Sequence, residues 1–355
     1  MLWEVPLGKA GLGGIAATEE YIFFGDRDLD DFQDVYRCLN ATTGEQIWEV
    51  PQLAIGALDY GNSPRATPVI HGKHVIFFGA FGDLCCVEIA SGEVIWHINL
   101  RSLFNPEEEL PWGYCGSPLL VDNKLIVNPG ANAASLAAID PLNGSVLWTS
   151  PGLNASYGSF IVDVFGTQRQ IVGHDAKSIG GWDIATGRRL WTISPPDSGE
   201  FNVPTPISVN GRLLISTEQN GTRLYDFNEA GVASPEPVAR NKQLTPDMSS
   251  AVVVGNLVFC VNKFLYCLDL QDGLKERWRI RDKALSEYGS IIASKDRLLV
   301  IGDGELLLLN TSGDKTILAR QPVFESGDRL YSFPALVGTK LFIRGESKLR
   351  CIDLD

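Results

Sequence analysis

The sequence predicts an all-β protein, an eight-bladed β-propeller. Three observations predict it: one short phrase recurs every 41 to 52 residues, each copy carries the chemistry of a tight hairpin, and the two chain ends are the two halves of one copy.

The phrase consists of a small or apolar residue, an apolar residue, an Asp-like residue, then Thr/Ser/Asn-Gly and, four residues on, Trp. Clear copies carry Cys38, Asn40, Gly44 and Trp48; Cys86, Glu88, Gly92 and Trp96; Ala138, Asp140, Gly144 and Trp148; and Gly181, Asp183, Gly187 and Trp191. Cys267, Asp269, Gly273 and Trp278 form another, and Leu224 to Asp226 and Leu308 to Asn310 are degenerate. The Asp-like anchors fall at 40, 88, 140, 183, 226, 269, 310 and 353.

In such a phrase the glycine supplies the positive φ of a tight reversal, and the Asp-like side chain bonds backbone amides of the turn. The Trp then packs one blade on its neighbour. Upstream of each phrase lie two more strand-like runs, as in 66–70 and 74–79 around a His71-Gly72-Lys73 turn. Four strands per repeat, with no amphipathic helical stretch between repeats, make a blade. Blades are expected at about 11–50, 61–100, 113–150, 156–194, 201–240, 247–280, 287–320 and 331–355.

The ends complete each other. Residues 349–355 are the phrase cut before its turn, and 2–5 are the phrase from Trp3 onward. The N-terminal strand, within 1–8, should therefore complete the C-terminal blade and leave no open sheet edge there. Six copies keep the docking Trp; the copies around Val238 and Leu318 do not.

Composition narrows the function. The 355 residues carry a net charge of −13 with a sequence pI near 4.8, which argues against nucleic acid or an anionic membrane as partner. No apolar run is long enough to span a bilayer, and no signal peptide precedes the strand-like residues 2–5. Seven scattered cysteines do not make a disulfide framework, and four histidines show no zinc spacing. No nucleophile elbow or P-loop is present; the glycines at 11, 13 and 14 read as a lead into the inner strand of the first blade.

A ligand is expected where the inner strands begin, at one mouth of the propeller channel. By repeat register this gathers Asp59, Tyr60, Asn62, Arg65, Trp112, Tyr114, Tyr157, Asn202, Asp247, Glu287, Tyr288 and Tyr331. The aromatic rings could stack on a flat or sugar-like ligand, with Arg65, Asp247 and Glu287 as polar fixing points; equally, the tyrosines could plug the channel while Arg65 pairs with an acid. The connection 105–111 reads as a lid or as a solvated insertion. Asp26, Asp28 and Asp30, with Asp31 and Asp34, present oxygens at alternate positions as calcium prefers, yet lack the glycine and distal Glu of an EF-hand loop. A solvated acidic loop is the alternative.

These phrases resemble the PQQ-like (quinoprotein-type) repeats of pyrroloquinoline quinone dehydrogenases and of their non-enzymatic relatives. Those relatives include the propeller lipoprotein of the outer-membrane β-barrel assembly machine. The stretches 58–65 and 112–115 resemble uncharacterised propellers of planctomycete-type bacteria. The resemblance spans the whole chain. It implies either of two functions: a monomeric, non-catalytic propeller that binds a protein, peptide or polymer, or a PQQ- and calcium-dependent alcohol-type dehydrogenase. The enzymes carry a vicinal disulfide, which the pair Cys85-Cys86 matches in sequence; Cys86 also fills the small core slot of the phrase. Their calcium-binding Glu, Asn and Asp and their catalytic Asp match no motif here. An extracytoplasmic location is what the resemblance implies.

Overall fold

The computed structural model describes residues 1–286, 288–312, 314–325, 328 and 330–355. They form eight four-stranded antiparallel sheets, the blades of an eight-bladed β-propeller. The first blade pairs Ala16–Ala17, Tyr21–Arg27, Gln33–Asn40 and Gln46–Leu53 in order, and the second runs from Val69–His71 to Val94–Asn99. The next five end in Val146–Ser150, Arg189–Ile193, Ala239–Asn241, Lys275–Ile280 and Ile317–Pro322.

The last sheet orders Trp3–Pro6, Lys348–Asp353, Lys340–Arg344 and Ala335–Val337, so the N-terminal strand is its outermost member. Trp3 pairs with Cys351 and Val5 with Leu349. The chain divides into two compact units of four blades each, Met1–Ala155 with Tyr331–Asp355, and Ser156–Leu330.

The phrase does the work its chemistry assigns. Asn40 Oδ1 accepts from the amides of Thr42 (2.8 Å) and Thr43 (3.0 Å), and Asp140, Asp183 and Asp269 hold their turns in the same way. In six blades the strand register shifts at the first position of the phrase, for example between Cys38 and Leu39, and in the five of them that carry the Trp it turns the ring toward the next blade.

There the indole Nε1 donates to the carbonyl that follows the next anchor: Trp3 to Ala41 (3.3 Å), Trp48 to Ile89 (2.8 Å) and Trp96 to Pro141 (3.0 Å). Trp191 differs. Its Nε1 donates to Gln170 Oε1 (2.6 Å), whose Nε2 donates to Gly231 O (2.7 Å) in the following blade.

Within each unit apolar side chains fill the space between successive blades. One core joins Ile76, Phe78, Cys86 and Trp96 of the second blade to Leu125, Val127 and Ile139 of the third. Cys85, the neighbour of Cys86, points to the opposite face, into the core shared with Tyr36, Phe77 and Trp48.

Two details depart from expectation. The slots without Trp, placed by register opposite Leu224 and Leu308, are Ala239 and Ala319, each one residue beyond Val238 and Leu318. A long turn in one blade and the strand bulge in the other shift the count. A short helix, Leu100–Phe104, also interrupts the all-strand reading, capped by the Asn99 side chain and ended by Asn105 at φ 48°.

Candidate functional site

In the first unit the loop before the second blade is fastened from within. Arg65 donates through Nη1 to Ser63 O (3.0 Å) and through Nη2 to Asp59 O (2.7 Å) and Gly61 O (2.8 Å). Asn62 accepts from Leu58 N (2.9 Å) and donates to Asp31 Oδ2 (2.9 Å) and Gly56 O (3.2 Å). The exposed Asp59 donates its amide to Pro111 O (2.9 Å). The arginine and asparagine read from sequence as ligand-fixing groups thus hold the loop itself.

The product of this bracing is Tyr60. Its φ is +65°, a conformation that bulky L-residues rarely adopt, and 72% of it is exposed. Its ring meets the partly buried Trp112 edge-on at 6.1 Å. In the same unit Leu29, Phe32, Leu53 and Ile55 are exposed. Tyr114 belongs to the core instead: its hydroxyl donates to Pro129 O (3.0 Å), its ring lies 5.2 Å from Phe78, and burial pushes the hydroxyl up to about 12. Tyr331 is partly buried beside Ser332, which donates to Gly13 O (2.5 Å). The 105–111 connection is pinned rather than free, by Leu110 packed on the core, Arg101–Glu109 (3.0 Å) and the Asn132 amide on Glu107 (3.2 Å).

In the second unit Tyr157 is buried, 6.1 Å from the half-exposed Phe201. Asn202 is buried at φ 56°, its Nδ2 donating to Asp175 O (3.3 Å) and its carbonyl accepting from Gly158 N (2.9 Å). Asp247 is exposed and accepts from the Met248 amide (2.9 Å). Tyr288 is partly buried, with its hydroxyl raised by burial. Glu287 lies outside the described residues.

Sequence reasoning missed a polar group here. Glu200 is buried and accepts from the amides of Gln219 and Asn220 (2.7 Å each). Burial first, then the charges of Glu200, Asp247 and Asp197, raise the Glu218 carboxyl. It also missed buried His174 and Arg223. No residue-type pattern marks these positions, because their burial comes from the packing of one blade on the next.

The acidic loop of the first blade is an ion-pair network. Buried Arg27 donates to Asp31 Oδ1, Asp34 Oδ1 (2.8 Å each) and Ala54 O (2.7 Å). Asp26 faces Arg37 and Arg344 (3.4 Å each) and accepts from Gly8 N (3.0 Å), while Asp28 accepts from the amides of Phe32 and Gln33. Among the described residues no three His, Cys, Asp or Glu side chains gather as a metal would require, so Asp26, Asp28 and Asp30 are not brought together. Cys85 and Cys86 are both free thiols. Adjacent strand residues on opposite faces hold their sulfurs apart, and burial pushes both thiols up to about 12. The described residues therefore do not supply the vicinal disulfide of a quinone site, and no chemistry is assigned through that group.

Four-stranded blades with Asp-anchored turns and interblade tryptophans define a propeller of the PQQ-like repeat class. The chain belongs to the family described as outer membrane protein assembly factor BamB, whose model matches residues 31–280. Among solved structures it is similar to BamB from Moraxella catarrhalis, with a TM-score of 0.66 at 15% identity over 99% of this chain and 98% of that one. It is also similar to quinohemoprotein alcohol dehydrogenase from Comamonas testosteroni, with a TM-score of 0.70 at 11% identity over 99% and 76%. A europium-containing methanol dehydrogenase gives 0.67 at 11% identity over 97% and 85%. At such identities the likeness carries the fold alone. No curated protein matches the chain.

Proposed function

We propose that this chain is a non-catalytic, monomeric binding propeller that recognises a segment of a protein, peptide or polymer through the loop carrying Tyr60. One observation carries the reading: a bulky aromatic held at φ +65° and left 72% exposed by a loop whose polar side chains are spent on bracing it. Such backbone strain costs roughly 1–3 kcal/mol, and it persists where surrounding structure over-determines it, as at ligand clamps. A rigid aromatic anchor paired with Trp112 suits an apolar or aromatic segment, and it binds without a large ordering cost. The family description supports a protein partner and an extracytoplasmic location; among the described residues no helix is long and apolar enough to cross a membrane.

The test begins with peptides selected from a displayed random library on the wild-type protein. Tyr60→Asn keeps a residue that tolerates positive φ and removes the ring. It should weaken the selected peptides by about 30-fold, the scale of an aromatic hot spot, with Tm unchanged. Full affinity in Tyr60→Asn would refute the site. Dye-linked alcohol oxidation on adding PQQ with calcium would refute the non-catalytic reading.

A further inference from the structure

Three arginines are buried almost completely, and two have carboxylate partners. Arg27 pairs with Asp31 and Asp34, and Arg344 lies against Asp26. Arg223, in the strand Gly221–Tyr225 of the second unit, is 3% exposed and has none. Among the described residues no carboxylate oxygen comes within 4.0 Å of it. Its hydrogen bond there runs from Nη2 to Thr217 Oγ1 (3.0 Å), and its Nε has no acceptor.

Of the acids of this region, Asp175 and one oxygen of Glu200 are committed elsewhere, and the buried Glu200 Oε2 has no donor among the described residues. Asp175 accepts from Ser178 (2.8 and 2.9 Å) and from Arg189 (2.6 Å), and Glu200 Oε1 holds the Gln219 and Asn220 amides. The neighbouring His174 is also buried, with its Nε2 unpartnered. Burial, and after it the charge of Arg223, push this imidazole down to about 3, so it is neutral and keeps one ring N–H.

Burying a charge without a partner is among the costliest arrangements in a folded chain. Here the unmatched group is a cation, a donor awaiting an acceptor, beside a neutral imidazole that donates as well in its Nε2–H tautomer. We propose that Arg223 and His174 form an anion site in the second unit that takes a carboxylate. The planar guanidinium matches a carboxylate better than a spherical ion. A free small acid and the C-terminus of a peptide share this chemistry. The inference is independent of the Tyr60 reading, which lies in the other unit.

The probe is acetate, titrated at constant ionic strength into protein with isotope-labelled histidine. The His174 ring resonances should shift saturably, and Tm should rise with acetate. Arg223→Met should weaken acetate at least about 30-fold, the scale of a lost charge-assisted contact, and abolish the Tm rise. Without acetate this variant should be at least as stable as wild type, because the unmatched charge is gone. A short peptide acid binding tighter than acetate assigns the site to a chain terminus, and a weaker one assigns it to a free acid. No saturable His174 shift by about 100 mM acetate, a level that would reveal even a millimolar Kd, overturns the site. So does an Arg223→Met protein that loses stability while wild type ignores acetate. If Arg223→Met does not fold, the wild-type His174 titration decides alone.

Discussion

Asp34 is fully buried at the contact between the first and second blades. One oxygen accepts from Arg27 Nη1, and the other has no donor. That second oxygen faces Gly79, where an added Cβ would lie 2.5 Å from it, and burial pushes the carboxyl from 3.8 up to about 7. His174 moves the other way, from 6.5 down to about 3. The signs are opposed. Between about pH 4 and 7 the folded chain binds more protons at Asp34 than the unfolded chain, so this group makes stability fall as pH rises. Between about 3 and 6.5 the unfolded chain binds more at His174, so that group makes stability fall as pH drops. Asp34→Asn keeps an oxygen for Arg27 and cannot ionise. Relative to wild type it should gain stability from pH 4 to pH 8, by at most about 4 kcal/mol for a shift of this size. Urea unfolding at the two pH values measures it, and a constant difference would show that Asp34 stays ionised throughout.

At the scale of the blade, the turn glycine serves two purposes that can be separated. Gly92 has φ +77°, and a Cβ there would lie 2.8 Å from the Trp48 ring of the preceding blade; Gly44 and Gly144 meet Trp3 and Trp96 in the same way. Gly273 has φ +63° but open space, because the blade before it carries Ala239 where those before Gly44, Gly92 and Gly144 carry Trp. Asn241 makes a cross-blade bond there instead, to Leu274 O (2.9 Å). Gly273→Ala should therefore cost about 1 kcal/mol, from backbone strain alone. Gly92→Ala should cost a further ~1–3 kcal/mol from overpacking the indole. Equal losses in denaturant unfolding would mean that the glycine–tryptophan contact carries no energy. This pairing was half legible in the sequence. The turn pair and the Trp recur at fixed spacing because each blade needs both, whereas their meeting across two blades is a matter of packing. Asn62 and Arg65 were read as ligand groups for a related reason: residue type announces a donor, but only the loop conformation reveals that its acceptors are the loop's own carbonyls.

For the whole chain, the eight blades could be counted from the sequence because backbone chemistry repeats, and the last blade could be closed on paper because its two halves lie at the two ends. The structure adds what that closing strand holds. Trp3 donates to Ala41 O, packs 5.9 Å from Phe342 and fills the space over Gly44. Glu4 binds Lys348 (2.7 Å) and Arg350 (2.7 Å), which keep its carboxyl below the usual range. Val5 and Leu7 pack on the core with Phe24, Leu39 and Leu349. Removing residues 1–5 would strip the Trp from one interblade contact and bare the edge of Lys348–Asp353 along its length. The exposed Glu4 pairs are worth little singly, so the loss should come from the partly buried Trp3 and the ladder. Truncating a fully buried Trp costs about 3–5 kcal/mol, which is the upper bound for the partly buried Trp3. The shortened protein should therefore melt well below the intact one and associate through its open edge, in contrast to the mild effect of trimming an untethered terminus. A synthetic peptide of residues 1–8 added in trans should restore Tm in proportion to its concentration. A truncated chain that melts with the wild type, or a peptide without effect, would mean that the last blade stands on three strands.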